Sequence, residues 1–209
     1  MRDWLAALCV GVSETLVGYP FLTAKVRFQN NLPLPRTPAA YYRGVRYPLC
    51  GAMAFNMVVF PVHERTHTQW GHAAAGALAG LAVTPQVFCI DTLAVTRQTN
   101  QPITRTLLTR PVGFPTTVVR EMLAMSVYFE TYHRVREHTH SLVAGGVAGL
   151  CNWTLTYPLD VVRTRQLAQR ISAAQALAQR QLWKGFGVVA ARAVLVNAVG
   201  FTVYEHARG

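Results

Sequence analysis

Acidic residues are scarce in this chain. Nine Asp and Glu stand against twenty Lys and Arg, for a formal net charge of +11 over 209 residues, and charged residues of both signs make up only 14%. Charges this few, banked into short clusters, argue against a soluble bundle, in which each helix keeps its apolar residues on one stripe and a charged face toward water. Cysteine is also sparse: Cys9, Cys50, Cys89 and Cys151 lie within or near apolar stretches at no metal-ligand spacing, so buried thiols are expected rather than disulfides or zinc. Nothing resembles a phosphate-binding loop, a catalytic triad or a metal site, so the expectation is a protein that is not an enzyme and needs no cofactor or metal. Met1, Arg2 and Asp3 run straight into the first apolar stretch without a small-residue cleavage site, so no signal peptide is expected.

What the chain has instead is long uncharged runs. Residues 4–24 carry one charge, Glu14, and 47–62, 73–90 and 141–159 carry none. Two more runs, 111–129 and 185–204, are apolar apart from Arg120 and Glu121 in one and Arg192 in the other. A spanning helix needs about 20 residues, with about 17 as a minimum. Six spans therefore fit, and the expected fold is an all-α membrane protein. The surplus positive charge alternates between loops: Lys25, Arg27, Arg36, Arg43 and Arg46 follow the first span, whereas Glu64 and Arg65 follow the second. Basic loops mark the inner side of a membrane and favour anionic lipid head groups, not nucleic acid.

An internal repeat organises these spans. Gly11, Gly80 and Gly149 recur at intervals of 69 residues, each preceded four positions earlier by a small residue, Ala7, Gly76 or Gly145. Small-xxx-small faces let helix backbones approach closely in lipid, where packing drives association. Nine positions further on stand Pro20, Cys89 and Pro158, and Gly44, Gly113 and Gly185 correspond in the even-numbered spans, the last after a three-residue insertion. The expected architecture is three pseudo-symmetric two-helix repeats, 1–70, 71–139 and 140–209, around an axis along the membrane normal.

The segment Pro158-Leu159-Asp160-Val161-Val162-Arg163 resembles the proline-x-acid-x-x-base signature of the mitochondrial carrier family. Pro20 to Lys25 is a partial copy with Leu22 at the acid position, and the second repeat has Cys89, Asp91 and Ala94 at the three signature positions. Tyr42-Arg43-Gly44 and Trp183-Lys184-Gly185 supply the family's aromatic-base-glycine element. The resemblance covers essentially the whole chain, which is shortened in the loops after odd spans; the proline-rich stretch 30–43 leaves little room for a full surface helix there. It implies a monomeric, multi-pass carrier of the mitochondrial inner membrane with a small-molecule substrate, contacts with cardiolipin, and two charge networks. On the matrix side the acid of each odd helix pairs with the base of the next repeat, giving Asp91 with Arg163 and Asp160 with Lys25, braced by Gln29 and Gln98. The third pair, Leu22 with Ala94, has lost both charges together, as expected where an unpaired buried charge costs more than a neutral pair. An outer network would draw on His63-Glu64-Arg65-Thr66-His67, Tyr132 to Arg136 and Tyr204-Glu205-His206-Ala207-Arg208, pairing Glu64 with Arg136 and Glu205 with His67, with Arg208 near His133.

Charges at mid-depth are functional candidates by default. Arg120 and Arg192 occupy matching repeat positions, with Glu121 beside the first, and Arg120 should lie roughly 20 Å below the outer network at 1.5 Å per residue. Arginines at that depth suit a substrate carboxylate, and Glu121 an amine or quaternary ammonium. The stretch 48–60, with Asn56, resembles the basic amino acid and acylcarnitine group of carriers. Transport of small amino-acid-like or carnitine-like solutes is the expectation. Two readings compete with it: a degenerate, non-transporting homologue that serves as a membrane interaction protein, and a nucleotide or carboxylate carrier. The bland alternative for Arg120 and Glu121 is an internal ion pair that ties helices together. For His72, His138 and His140 it is an interfacial position at span ends.

Overall fold

Long apolar runs with few helix breakers satisfy their own backbone hydrogen bonds, and in the computed structural model they do so as helices. The structure describes residues 2–103, 111–192 and 195–196, and among these every regular element is helical. In chain order they are α1 (Arg2–Gln29), the short α2 (Pro38–Tyr41), α3 (Arg46–Gln98), α4 (Phe114–Arg136), α5 (Ser141–Gln169) and α6 (Ala173–Ala178). The chain is helical again over 186–192. The four residues of α2 agree with the cramped, proline-rich loop read from the sequence. Pro20, Pro61, Pro85 and Pro158 all lie inside helices.

α3 is two rods joined at Gly71, whose left-handed backbone (φ 78°, ψ 165°) interrupts the helix at the expected junction of the first and second repeats. Six bilayer-length spans are expected from sequence, yet among the described residues a single stretch, Ala54–Gln98, is both long and apolar enough to cross a membrane on hydropathy. The other long helices, α1, α4 and α5, have 28, 23 and 29 residues, enough in length to span.

Local geometry recurs from repeat to repeat. α1, α3 and α5 are followed by left-handed residues, Asn31, Asn100 and Arg170. Gly44, Gly113 and Gly185 share φ near 90° ahead of the next helix, a conformation that a side chain would strain. Tyr19 donates to the Arg43 carbonyl at 2.9 Å and Tyr157 to the Lys184 carbonyl at 3.0 Å, so each tyrosine ties an odd helix to the glycine turn of its own repeat.

α4 packs against both α3 and α5. The Gly76 and Gly80 face of α3 lies directly on the backbone of α4: a Cβ on Gly76 would sit 2.5 Å from the Met125 carbonyl oxygen, and one on Gly80 would collide with that of Glu121. This is the close approach that small-xxx-small spacing predicts. A Cβ on Gly145 or Gly149 would meet no described atom within 4 Å. Near the C-terminal ends of α1, α3 and α5, Val26, Phe88, Val95, Leu167 and Ala168 form an apolar cluster, with Phe114 of α4 packed on it.

Candidate functional site

Each of the three odd helices carries charge within its last few turns, and the fold brings those turns together. The Lys25 ammonium lies 2.5 Å from Asp160 Oδ2. Arg163 pairs with Asp91 through one terminal nitrogen and, through the other, with Glu121 Oε1 at 3.2 Å. Arg120 reaches the same Glu121 oxygen at 2.7 Å and lies 3.9 Å from Asp160. The result is one connected group of three cations, Lys25, Arg120 and Arg163, and three anions, Asp91, Glu121 and Asp160.

Burial makes that balance necessary. Glu121 is 1% exposed, and Lys25, Asp160 and Arg163 are also buried, while the Asp91 side chain is 40% exposed. An ionised group in such surroundings costs several kcal/mol unless it is paired, and neutralising one partner of a buried pair costs roughly 3–5 kcal/mol. Leu22 and Ala94, where the third pair has vanished, line the same cavity of about 200 Å³ as Lys25, Asp91, Gln98, Arg120 and Asp160. Neither side chain brings a charge to that cavity, where a lone one would have no partner.

The Gln29 amide donates to Asp160 Oδ2 at 3.5 Å and to the Tyr157 hydroxyl at 3.3 Å, which places it as a brace on the Lys25 and Asp160 pair. Gln98 is buried, and its backbone carbonyl accepts from Arg27 at 2.9 Å. Trp153, which sequence reasoning missed, offers its ring to two cations: Lys25 Nζ lies 4.9 Å and the Arg120 guanidinium 5.6 Å from its centroid. Its place five residues before Pro158 was the available signal. Arg165, 1% exposed, was missed too; it donates to the carbonyls of Gln29, Ala176 and Arg180 and so anchors α6 and the following turn to α1 and α5.

Other expected site residues lie apart from this group. Arg192 is half-buried, with its guanidinium against the Gly18 face of α1, where a Cβ would come within 2.8 Å of its Nε. Asn56 is exposed. At the opposite end of the bundle Glu64 and Arg136 are exposed, and no ion pair joins them among the described residues; Arg136 donates instead to the Thr139 carbonyl at 3.2 Å. Glu205 and Arg208 lie outside the described residues, as does the side chain of Glu14. His67 stacks on His63 and His72 with ring centroids 5.3 and 5.1 Å away.

The arrangement can do one thing plainly: hold the ends of α1, α3 and α5 together through charge pairs that are separable as a set, because the group is neutral overall. The family model described as mitochondrial carrier protein matches residues 136–179, which include the Asp160 and Arg163 signature. The mitochondrial basic amino acids transporter of Rattus norvegicus is 30% identical, over 78% of this chain and 70% of its own length. The chain belongs to the mitochondrial carrier family. Two further relatives, each 29% identical, are the mitochondrial arginine transporter BAC2 of Arabidopsis thaliana, over 98% of this chain and 89% of its own length, and the mitochondrial basic amino acids transporter of Homo sapiens, over 99% and 91%. The first of these alignments runs over 265 positions against a chain of 209 residues, so this carrier matches end to end with segments deleted. Carriers of this family are multi-pass transporters of the mitochondrial inner membrane that move small molecules.

Proposed function

We propose that this carrier moves basic amino acids across the mitochondrial inner membrane by alternating access, and that the structure corresponds to its matrix-closed state. In this reading the chain forms six spans in three repeats, 1–70, 71–139 and 140–209, works as a monomer in contact with cardiolipin, and catalyses no covalent chemistry. Recurrence of the tyrosine ties and of the left-handed glycines from repeat to repeat supports the threefold organisation. The relatives, named as transporters of arginine and of basic amino acids, support the substrate class.

The observation that carries the reading is the sharing of one Glu121 oxygen by Arg120 and Arg163. Glu121 thereby links the candidate substrate arginine to the candidate gate. A basic amino acid arriving from the outer side presents a carboxylate to Arg120 and Arg192 and a side-chain cation to Glu121. Its cation competes with Arg163 for that carboxylate, and the released Arg163 weakens its hold on α3 through Asp91. The pairs of the matrix gate then part, while Glu64, His67, Arg136, Glu205 and Arg208 come together at the other end. A neutral network suits this step, since the substrate's own charges replace those withdrawn and no bare ion is stranded in a dry site.

Uptake of arginine, lysine, ornithine, carnitine, a dicarboxylate and a nucleotide into liposomes preloaded with each solute tests the proposal. Basic amino acids are expected to be taken up preferentially, and Glu121→Gln to depress them more than any other solute. Preference for carnitine retains the gate and changes the substrate. Preference for the nucleotide overturns the role given to Glu121, and no uptake of any solute by folded protein favours the non-transporting reading.

A further inference from the structure

At the end of the bundle opposite the charge cluster, four imidazoles from three helical segments converge. His63 and His67 stand one turn apart on the first rod of α3, His72 opens the second rod just past the break at Gly71, and His133 lies in the last turn of α4. His63 is 8% exposed and its ring stacks on Phe129 with centroids 3.7 Å apart, so the cluster is built into the packing rather than scattered on the surface. Ring centroids of His63, His67 and His72 are 5.1–5.3 Å from one another, and His133 stacks on His72 at 3.7 Å. The ligand atoms of His63, Glu64 and His67 all lie within 4.8 Å of one another.

We propose that His63, His67 and His72 form a binding site for a zinc-class divalent cation, with the Glu64 carboxylate or a water molecule in the fourth position. Four features support it. The sequence His63-Glu64-Arg65-Thr66-His67 has H-E-x-x-H spacing on a helix, which puts two imidazoles on one face at a separation that grips a single ion. Its third ligand comes from the adjoining rod, because the break at Gly71 folds the chain back within reach. His72 Nδ1 and His63 Nε2 are 3.3 Å apart, and two nitrogens on neighbouring vertices of a tetrahedral site with bonds of about 2.0–2.1 Å are separated by roughly that distance. Finally, His67 Nδ1 lies 3.2 Å from the His63 carbonyl oxygen. Donation to that carbonyl fixes the tautomer and leaves Nε2 free as a ligand, the outer-shell arrangement usual for metal-bound histidine.

A cation held there ties the two rods of α3 together across their break. It also occupies Glu64 and His67, two groups assigned above to the outer network. The site itself depends on neither the identity of the transported solute nor on transport.

The test is titration of the full chain, purified without a histidine tag and held in detergent, with Co2+ followed by its visible ligand-field absorption, and with Zn2+ in competition. One saturable equivalent with the intense bands of a tetrahedral ion is expected, displaced by Zn2+, together with a Zn2+-dependent rise in the thermal unfolding temperature. His72→Gln and His67→Gln should each weaken binding at least about 10–100-fold, the loss typical of perturbing a metal's supporting shell. His138→Gln and His140→Gln, on exposed residues outside the cluster, should bind as the parent does. Variants that keep the parental unfolding transition without metal are the ones compared, and substitution of His63 is avoided because Phe129 packs on it. Absence of a saturable Co2+ spectrum, or equal affinity in His72→Gln and the parent, overturns the proposal.

Discussion

At the end of the bundle proposed above to face the matrix, Lys25, Asp91, Arg120, Glu121, Asp160 and Arg163 share three positive and three negative charges, five of them on buried or nearly buried side chains. At the other end Glu64, Arg134, Arg136 and Glu137 are exposed, and among the described residues the ion pairs there, Arg134 with Glu130 and His133 with Glu137, join positions four apart in one segment. The difference is one of connectivity. Apart from Arg120 with Glu121, the pairs at the first end cross between helices, and in the proposed function they shut the passage, whereas pairs of the i,i+4 kind stabilise only their own helix, by a few tenths of a kcal/mol. An alternating-access transporter at rest in one state should show this asymmetry, since only one end is closed at a time.

The sharpest way to break the comparison is to reverse one buried charge. Asp160→Lys places an ammonium against Lys25 and Arg120 and should lower stability by roughly 3–5 kcal/mol, read from thermal unfolding in detergent. Combining it with Lys25→Asp should recover most of that loss but not all, because Arg120 also faces Asp160 at 3.9 Å. Additive losses would show that the two positions do not interact. Next in size is the vanished pair: Leu22→Asp alone strands a carboxylate at the gate, so it should destabilise more than Leu22→Asp combined with Ala94→Arg. Equal unfolding temperatures for the single and double variants would contradict that account.

A second comparison sits between repeats. Gly80→Val drives a side chain into the Glu121 backbone and should cost about 1–3 kcal/mol or more in unfolding free energy. Gly149→Ala, at the equivalent position of the third repeat, meets no described atom within 4 Å and should be close to neutral. Smallest of all, Glu64→Gln at the exposed outer end should change stability by no more than about 0.5 kcal/mol.

Much of the charge cluster was legible in the sequence, because the 69-residue interval located the equivalent positions of each repeat and the resemblance to the carrier family said which of them pair. The pairing of Asp91 with Arg163 and of Asp160 with Lys25, and the joint loss at Leu22 and Ala94, came from the family resemblance, whose rule joins the acid of each odd helix to the base of the next repeat. What the repeat does not encode is side-chain direction. Arg120 and Glu121 were expected at cavity depth as substrate ligands, with an internal ion pair as the alternative; that pair is present, and Glu121 also shares its oxygen with Arg163. Trp153 was hidden because a tryptophan in an apolar run reads equally as lipid-facing. The histidine cluster was hidden because His63 and His67 were read against the family's outer motif, and only the break at Gly71 brings His72 back onto them.

Access to the gate is the most direct test of the central claim that paired charges seal the matrix end while the outer end stands open. With the four native cysteines replaced by serine, Leu22→Cys and Asn56→Cys are each labelled in proteoliposomes by a membrane-impermeant maleimide supplied from one side at a time. Position 22 should be protected from the matrix side and become reactive there when Asp91 and Asp160 are both changed to asparagine, while position 56 labels from the outer side in either background. Equal labelling of position 22 from the matrix side with and without the two carboxylates would contradict the account.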